Sequence, residues 1–149
     1  MTRRVIFLDI DGVLAPITRW DRYGDLDPAC IQVLNEIVAS GEADVVVTST
    51  WRYGKTALEL QEMLEAEGFK GRVLDKTPTG APGTNRGDEI AAWLAGHPVS
   101  GYVIIDDHAA MGDLHTRLVQ THPGHGLQLA DAQRAIAILM RSARTLGPG

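Results

Sequence analysis

Short apolar runs alternate with longer stretches of helical period along the chain. The runs are rich in valine and isoleucine and predict strands at residues 4–8, 43–48, 72–74, 102–105 and 118–121. Stretches with apolar residues three and four positions apart predict helices at 28–41, 56–67, 88–95 and 131–144. Strands that alternate with helices favour an α/β class, here a three-layer Rossmann-like fold with a central parallel sheet of about five strands.

Local signals refine this arrangement. Run 43–48 is apolar on both faces and predicts a central strand, whereas 72–74 is short and predicts an edge strand. Asp27 followed by a proline predicts the start of the first helix, and Gly41 predicts its end. Residues 77–87 include two prolines and three glycines, and therefore predict a loop.

The composition is that of one globular domain. The chain has 149 residues, of which 44% are hydrophobic and 22% charged, which is enough to bury a core. Asp9 and Asp11 interrupt its most apolar stretch, so no run approaches the ~20 apolar residues that span a bilayer. The single cysteine, Cys30, cannot form an internal disulfide. We therefore expect a cytoplasmic protein that does not contact membranes.

Two pairs of aspartates follow predicted strands. Asp9 and Asp11 leave the first strand, and Asp106 and Asp107 leave the fourth. Ligands of open parallel sheets bind at the carboxyl ends of strands, and side chains two residues apart in an extended segment point the same way. Crowded carboxylates repel unless one is protonated or a cation lies among them, and hard oxygen ligands of this kind suit Mg²⁺. The sequence therefore predicts a Mg²⁺ site formed by these aspartates.

Several segments resemble the haloacid dehalogenase (HAD) superfamily, whose members are mostly Mg²⁺-dependent phosphatases. Residues 7–14, Phe-Leu-Asp-Ile-Asp-Gly-Val-Leu, resemble its first motif, and 45–49 and 103–107 are similar to its second and fourth motifs. Thr-Ser-Thr-Trp-Arg at 48–52, together with Arg-Gly-Asp-Glu-Ile at 86–90, resembles the small HAD-like domains associated with RNA repair proteins.

This resemblance implies a role for each aspartate in the hydrolysis of a phosphomonoester. Asp9 would be the nucleophile that attacks phosphorus and also a metal ligand. Asp11 would protonate the leaving oxygen and later activate water against the aspartyl phosphate, while its backbone carbonyl binds Mg²⁺. Asp106 would bind the metal directly, and Asp107 either directly or through water.

The resemblance also implies a hydroxyl and a cation that bind the phosphoryl group. We assign the hydroxyl to Ser49, which ends the apolar strand. Thr48 and Thr50 stay open, because a shift of one residue reverses which side chain faces the site. For the cation, Arg86 is favoured over Lys76 because a guanidinium can hold a phosphoryl group with two hydrogen bonds.

A nucleotide or a nucleic-acid end is the expected substrate class. Only about thirty residues separate Asp11 from the second strand, and the predicted helix 28–41 lies among them, so we expect an open cleft without a large cap domain. Trp51 and Arg52 follow the proposed hydroxyl, where a stacking platform for a base would lie.

The charge balance permits this substrate class. A net charge of -5 argues weakly against nucleic-acid ligands. Four of the 19 acidic residues belong to the predicted metal site, however, which leaves 15 against 14 basic residues. Basic residues also fall in segments that would border the cleft: Arg19, Arg22, Arg52, Lys55 and Arg86. They predict a locally basic rim.

Two other functions compete with a phosphatase. The first is a non-catalytic HAD-like module that binds a phosphorylated ligand or a partner protein, which the intact Asp9 and Asp11 disfavour. The second is a P-loop nucleotide hydrolase, because Gly-Lys-Thr at 54–56 follows an apolar strand and opens a helix. Bulky side chains at 51–53 leave little room there for a phosphate cradle built from backbone N–H groups.

Overall fold

A computed structural model of the protein describes residues 3–18, 25–48, 54–78 and 84–141. The strands in these ranges are β1 (Arg3–Leu8), β2 (Ala43–Val47), β3 (Val73–Lys76), β4 (Val99–Asp106) and β5 (Leu118–Gln120). The helices are α1 (Pro28–Gly41), α2 (Ala57–Glu65), α3 (Arg86–Gly96) and α4 (Leu129–Leu139), with a 3₁₀ helix (Gly112–Arg117) before β5. Among the described residues, no helix is both long and apolar enough to cross a membrane.

The described strands form one parallel sheet in the order β3-β2-β1-β4-β5. This confirms the predicted α/β class and the five-stranded parallel sheet. It also confirms that β2 is central and that β3 lies at an edge. The chain adds strands on one side of β1 and then on the other, so the topological switch point lies between β1 and β4.

The two faces of the sheet carry separate apolar layers. Leu8 and Val47 face α1, α2 and α4, whereas Phe7 and Val46 face α3 and the 3₁₀ helix. The Phe7 ring contacts that of Trp93 in α3 edge to face, with 5.4 Å between centroids. Because side chains alternate along a strand, a residue directly after Leu8 or Val47 continues the face on which α3 packs.

Side-chain caps explain where the helices begin. The carboxylate of Asp27 accepts the N–H of Ala29, so α1 begins as predicted. Helix α3, in contrast, begins at Arg86 rather than at the predicted residue 88, because the side chain of Asn85 accepts the N–H of Asp88. The last two residues of the predicted loop 77–87 are therefore helical, and that boundary was wrong.

The end of α4 also differs from the prediction. The helix ends at Leu139 rather than at residue 144. A guanidinium nitrogen of the buried Arg117 donates to the carbonyls of Ile138, in the last turn, and of Arg141, just beyond the helix, and so caps this end of the chain segment. A cap supplied by a residue distant along the chain leaves no local signal in the sequence.

Candidate active site

The register of the sheet sets three polar residues side by side at its carboxyl edge. Leu8 pairs with the last residue of β2 and with Ile105 of β4, so Thr48, Asp9 and Asp106 lie at one level. The N–H of Asp9 donates to the carbonyl of Ile105 at 3.0 Å, and that of Thr48 to the carbonyl of Leu8 at 2.9 Å. The row therefore crosses the switch point between β1 and β4.

Three carboxylates converge in this row to form an acidic cluster, which consists of Asp9, Asp106 and Asp107. One oxygen of each lies within 4.8 Å of the others. Their side chains are 6%, 0% and 9% exposed, respectively. The partly buried Asp11 lies two residues after Asp9, and its carboxylate is not among the three. The family resemblance assigns that carboxylate to proton transfer and only its carbonyl to the metal.

Arg86, the first residue of α3, directs its guanidinium at the acidic cluster. Its Nη1 lies 2.5 Å from Oδ2 of Asp106 and 3.4 Å from Oδ1 of Asp9. Lys76 instead donates from Nζ to the carbonyl of Lys55 at 2.6 Å, just before α2. Of the two candidate cations, Arg86 thus contacts the acidic cluster directly.

Burial dominates the electrostatics of the cluster. It raises the pKa of Asp9 to about 8, and the negative charge of Asp106 adds to this rise while Arg86 opposes it. Burial also raises the pKa of Asp106, although Arg86 and the N–H of His108 both lower it. Burial acts to lower the pKa of Arg86, but Asp106 and Asp9 outweigh it, so the pKa rises. Without a metal ion, burial therefore favours the protonated form of Asp9 at neutral pH.

The acidic cluster fits a divalent cation. Oδ1 of Asp107 is buried and accepts no hydrogen bond from the described residues, and the exposed imidazole of His108 lies 3.8 Å from it. Gly12, at a φ of 79°, approaches so closely that a Cβ there would lie 2.5 Å from Oδ2 of Asp107. A side chain at Gly12 would thus displace that carboxylate. Three converging carboxylates, one of which has a buried oxygen without a hydrogen bond, provide the hard oxygen donors that Mg²⁺ prefers.

The raised pKa of Asp9 predicts how stability depends on pH without metal. Above about pH 4 the unfolded chain releases this proton, whereas the folded protein keeps it until about pH 8. The folded state binds more protons in this window, so the free energy of unfolding contributed by Asp9 falls as pH rises. We expect thermal melts in chelator at about pH 5 and pH 8 to show a larger loss in wild type than in Asp9→Asn. Equal losses in both proteins would contradict this assignment.

Other predicted substrate-binding residues lie outside the described residues: Ser49, Thr50 and Arg52, with Arg19 and Arg22 of the predicted rim. Two residues of structural importance escaped the sequence reasoning. Asn85 fixes the start of α3 and hence the position of Arg86, and its spacing to Asp88 and Glu89 was a usable capping signal. Thr121 contacts the turn after β1 from the end of β5, and no local pattern marks it.

The fold and the acidic cluster define a HAD-like domain. The family model of the HAD domain in Swiss Army Knife RNA repair proteins matches residues 5–132, from β1 into α4. The chain therefore belongs to this family, within the HAD-like hydrolase superfamily, as the motifs predicted. A search of curated proteins found no match.

Family membership removes the main reason for the P-loop alternative. The Gly-Lys-Thr segment at 54–56 supplies the N-terminal cap of α2: the hydroxyl of Thr56 accepts the N–H of Glu59, and the carboxylate of Glu59 accepts the N–H of Thr56. The carbonyl of Lys55 accepts a hydrogen bond from the ammonium group of Lys76. These contacts account for the segment as part of a HAD-like fold.

Proposed function

We propose that the protein is a Mg²⁺-dependent phosphatase that hydrolyses a phosphomonoester through an aspartyl phosphate on Asp9. The buried acidic cluster with Arg86 against it carries this proposal. Buried ion pairs contribute little net stability, because desolvation offsets their attraction. Catalysis therefore explains this buried set of three carboxylates and a guanidinium better than a contribution to stability does.

The acidic cluster would hold the metal ion, together with the backbone carbonyl of Asp11. When bound, Mg²⁺ would neutralise charge on the phosphoryl oxygens and hold Asp9 in its ionised form despite burial. The buried, unbonded Oδ1 of Asp107 supports this donor set.

The reaction has two steps. A carboxylate oxygen of Asp9 bonds to phosphorus as the bond to the leaving oxygen breaks, and Asp11 donates a proton to that oxygen. Asp11, now ionised, then takes a proton from water as the water oxygen attacks phosphorus. Inorganic phosphate leaves, and both aspartates return to their initial states. Covalent catalysis of this kind replaces one difficult displacement by two easier ones.

Arg86 and a hydroxyl bind the phosphoryl oxygens. The guanidinium, 3.4 Å from Asp9, is close enough to stabilise negative charge that develops around phosphorus. Thr48, Ser49 and Thr50 are the candidate hydroxyls. The pairing of Leu8 with Val47 supports Thr48, since it sets that residue beside Asp9. Lys76, bonded to the carbonyl of Lys55, is the less favoured cation.

A nucleotide or the terminal phosphate of a nucleic acid is the proposed substrate. The family's description links such domains to RNA repair proteins. Residues 12–42, which precede β2, number only 31 and include the 14 residues of α1, which leaves no room there for a large cap over the site. An uncapped cleft admits a bulky ligand more readily than it encloses a small one.

A phosphate-release screen tests this function. The substrates are an aryl phosphate, nucleotides, sugar phosphates and oligonucleotides phosphorylated at either end, each with Mg²⁺ and with chelator. We expect Mg²⁺-dependent release, fastest from nucleotides or oligonucleotide ends, and none from Asp9→Asn. Preference for sugar phosphates with no activity on oligonucleotides would contradict the substrate class. Binding of these ligands without any turnover would favour the non-catalytic module.

A further inference from the structure

The segment that joins β5 to α4 packs along the turn that follows β1. The N–H of Leu127 donates to the carbonyl of Val13 at 2.8 Å, and the N–H of Ile17 donates to the carbonyl of Pro123 at 2.7 Å. The hydroxyl of Thr121 donates to the carbonyl of Gly12 at 2.7 Å. Two successive carbonyls of the turn are thus held from β5 and its following segment.

Thr121 connects the two strands that carry the acidic cluster. Its N–H donates to the carbonyl of Asp106 at 3.0 Å, while its hydroxyl reaches the carbonyl of Gly12. The residue is 3% exposed, so water does not compete for either bond. One residue therefore links the turn that follows Asp9 and Asp11 to the end of β4, through its hydroxyl on one side and its backbone N–H on the other.

The Gly12 peptide has little freedom to shift without consequences for the site. Gly12 follows Asp11 directly and donates its N–H to the carbonyl of Ala15 at 2.9 Å. Its Cα packs against the carboxylate of Asp107, so closely that a Cβ would not fit. Movement of this peptide would displace the backbone of Asp11 on one side and the carboxylate of Asp107 on the other.

We infer that Thr121 is a positioning residue of the metal site: its hydroxyl holds the Gly12 turn against Asp106 and Asp107 and thereby sets the affinity for Mg²⁺. This inference rests on the proposed function. Partners that orient metal ligands typically change metal affinity or activity by about 10–100-fold when they are removed. A purely structural hydrogen bond would change the free energy of unfolding and leave Mg²⁺ affinity as it was.

Three substitutions separate these roles. Thr121→Val keeps the shape and removes the hydroxyl, Thr121→Ser keeps the hydroxyl, and Thr121→Ala is a smaller replacement in case valine prevents folding. Asn35→Ala is the matched control for lost stability. The Asn35 side chain donates to the carbonyl of Gly68 and accepts the N–H of Lys70, before β3 and away from the carboxyl edge. Folding of each variant is checked by thermal denaturation.

The readouts are Mg²⁺ affinity, measured by calorimetry without substrate, and the Mg²⁺ dependence of phosphate release. We expect Thr121→Val to bind Mg²⁺ at least about tenfold more weakly and to recover turnover at high Mg²⁺. Thr121→Ser and Asn35→Ala should bind like wild type. Affinity within twofold of wild type in Thr121→Val, or equal loss in Thr121→Ser, overturns the inference. A wild type that binds Mg²⁺ but releases no phosphate refutes the proposed function instead.

Discussion

Replacement of Asp9 by asparagine is expected to reduce phosphate release by about 10³-fold or more. The amide occupies the same space, but it is a poor nucleophile and cannot replace the carboxylate that forms the aspartyl phosphate. Loss of the charge also removes a metal ligand from the acidic cluster. The measurement is the initial rate on an aryl phosphate at saturating Mg²⁺. Asp113→Asn, at an exposed position in the 3₁₀ helix, is the control and should keep full activity.

The same substitution is expected to stabilise the protein without metal at about pH 8. Burial and the charge of Asp106 disfavour the ionised form of Asp9, as its raised pKa indicates. A neutral amide avoids that penalty, so Asp9→Asn should melt above wild type in chelator, and Mg²⁺ should stabilise it less than wild type. Such a protein would be inactive but well folded. Undiminished phosphate release by Asp9→Asn would refute the role of Asp9.

Replacement of Arg86 by methionine is expected to lower the free energy of unfolding by about 3–5 kcal/mol in chelator. The guanidinium lies against Asp106, which is fully buried, and against Asp9. Its removal leaves both acids without their compensating cation. Arg134→Met is the control, because Arg134 and Asp131 are also 2.5 Å apart but the Arg134 side chain is 59% exposed. We expect it to cost less than about 1 kcal/mol.

The Arg86→Met variant also distinguishes the role of the Arg86 guanidinium from that of Mg²⁺ in the proposed site. Mg²⁺ should restore part of its stability, because the ion compensates the same carboxylates. Turnover should stay at least about 10²-fold below wild type, because the phosphoryl oxygens lose a donor. Arg86→Lys should be intermediate, since it keeps the charge but not the fork of N–H groups. Wild-type stability in chelator together with wild-type turnover would contradict both roles of Arg86.

The sheet and its acidic edge were predictable because both follow from local patterns. Alternating βα units require parallel strands, and the carboxyl ends of parallel strands meet at one edge. Asp9 and Asp106, each at the end of an apolar run, were therefore expected at the same edge of the sheet, and the adjacency of β1 and β4 brings them together. In the structure, Leu8 pairs with Ile105, so the residues that follow them, Asp9 and Asp106, lie side by side.

Contacts between distant segments were not predictable in this way. The choice between Arg86 and Lys76 depends on which face of the sheet each occupies. The face that Lys76 occupies is set by an irregularity in the pairing of β2 with β3, after which Lys76 pairs with Val47. The bond from Thr121 to Gly12 joins residues 109 positions apart. Such contacts arise from tertiary packing, and no spacing along the chain reports them.

The most direct test of the account is to look for phosphate on Asp9 during turnover. Wild type is mixed with a phosphomonoester labelled in its phosphoryl group and Mg²⁺, quenched in acid within a turnover, and divided into two samples. One sample is counted for protein-bound label. In the other, borohydride reduces the acyl phosphate before digestion, which releases the phosphate and leaves homoserine, and peptide mass spectrometry locates the homoserine. We expect protein-bound label in the first sample and homoserine at position 9 in the second, and neither in chelator. Rapid phosphate release with an unmodified Asp9, or with the label on another residue, would contradict the proposed mechanism.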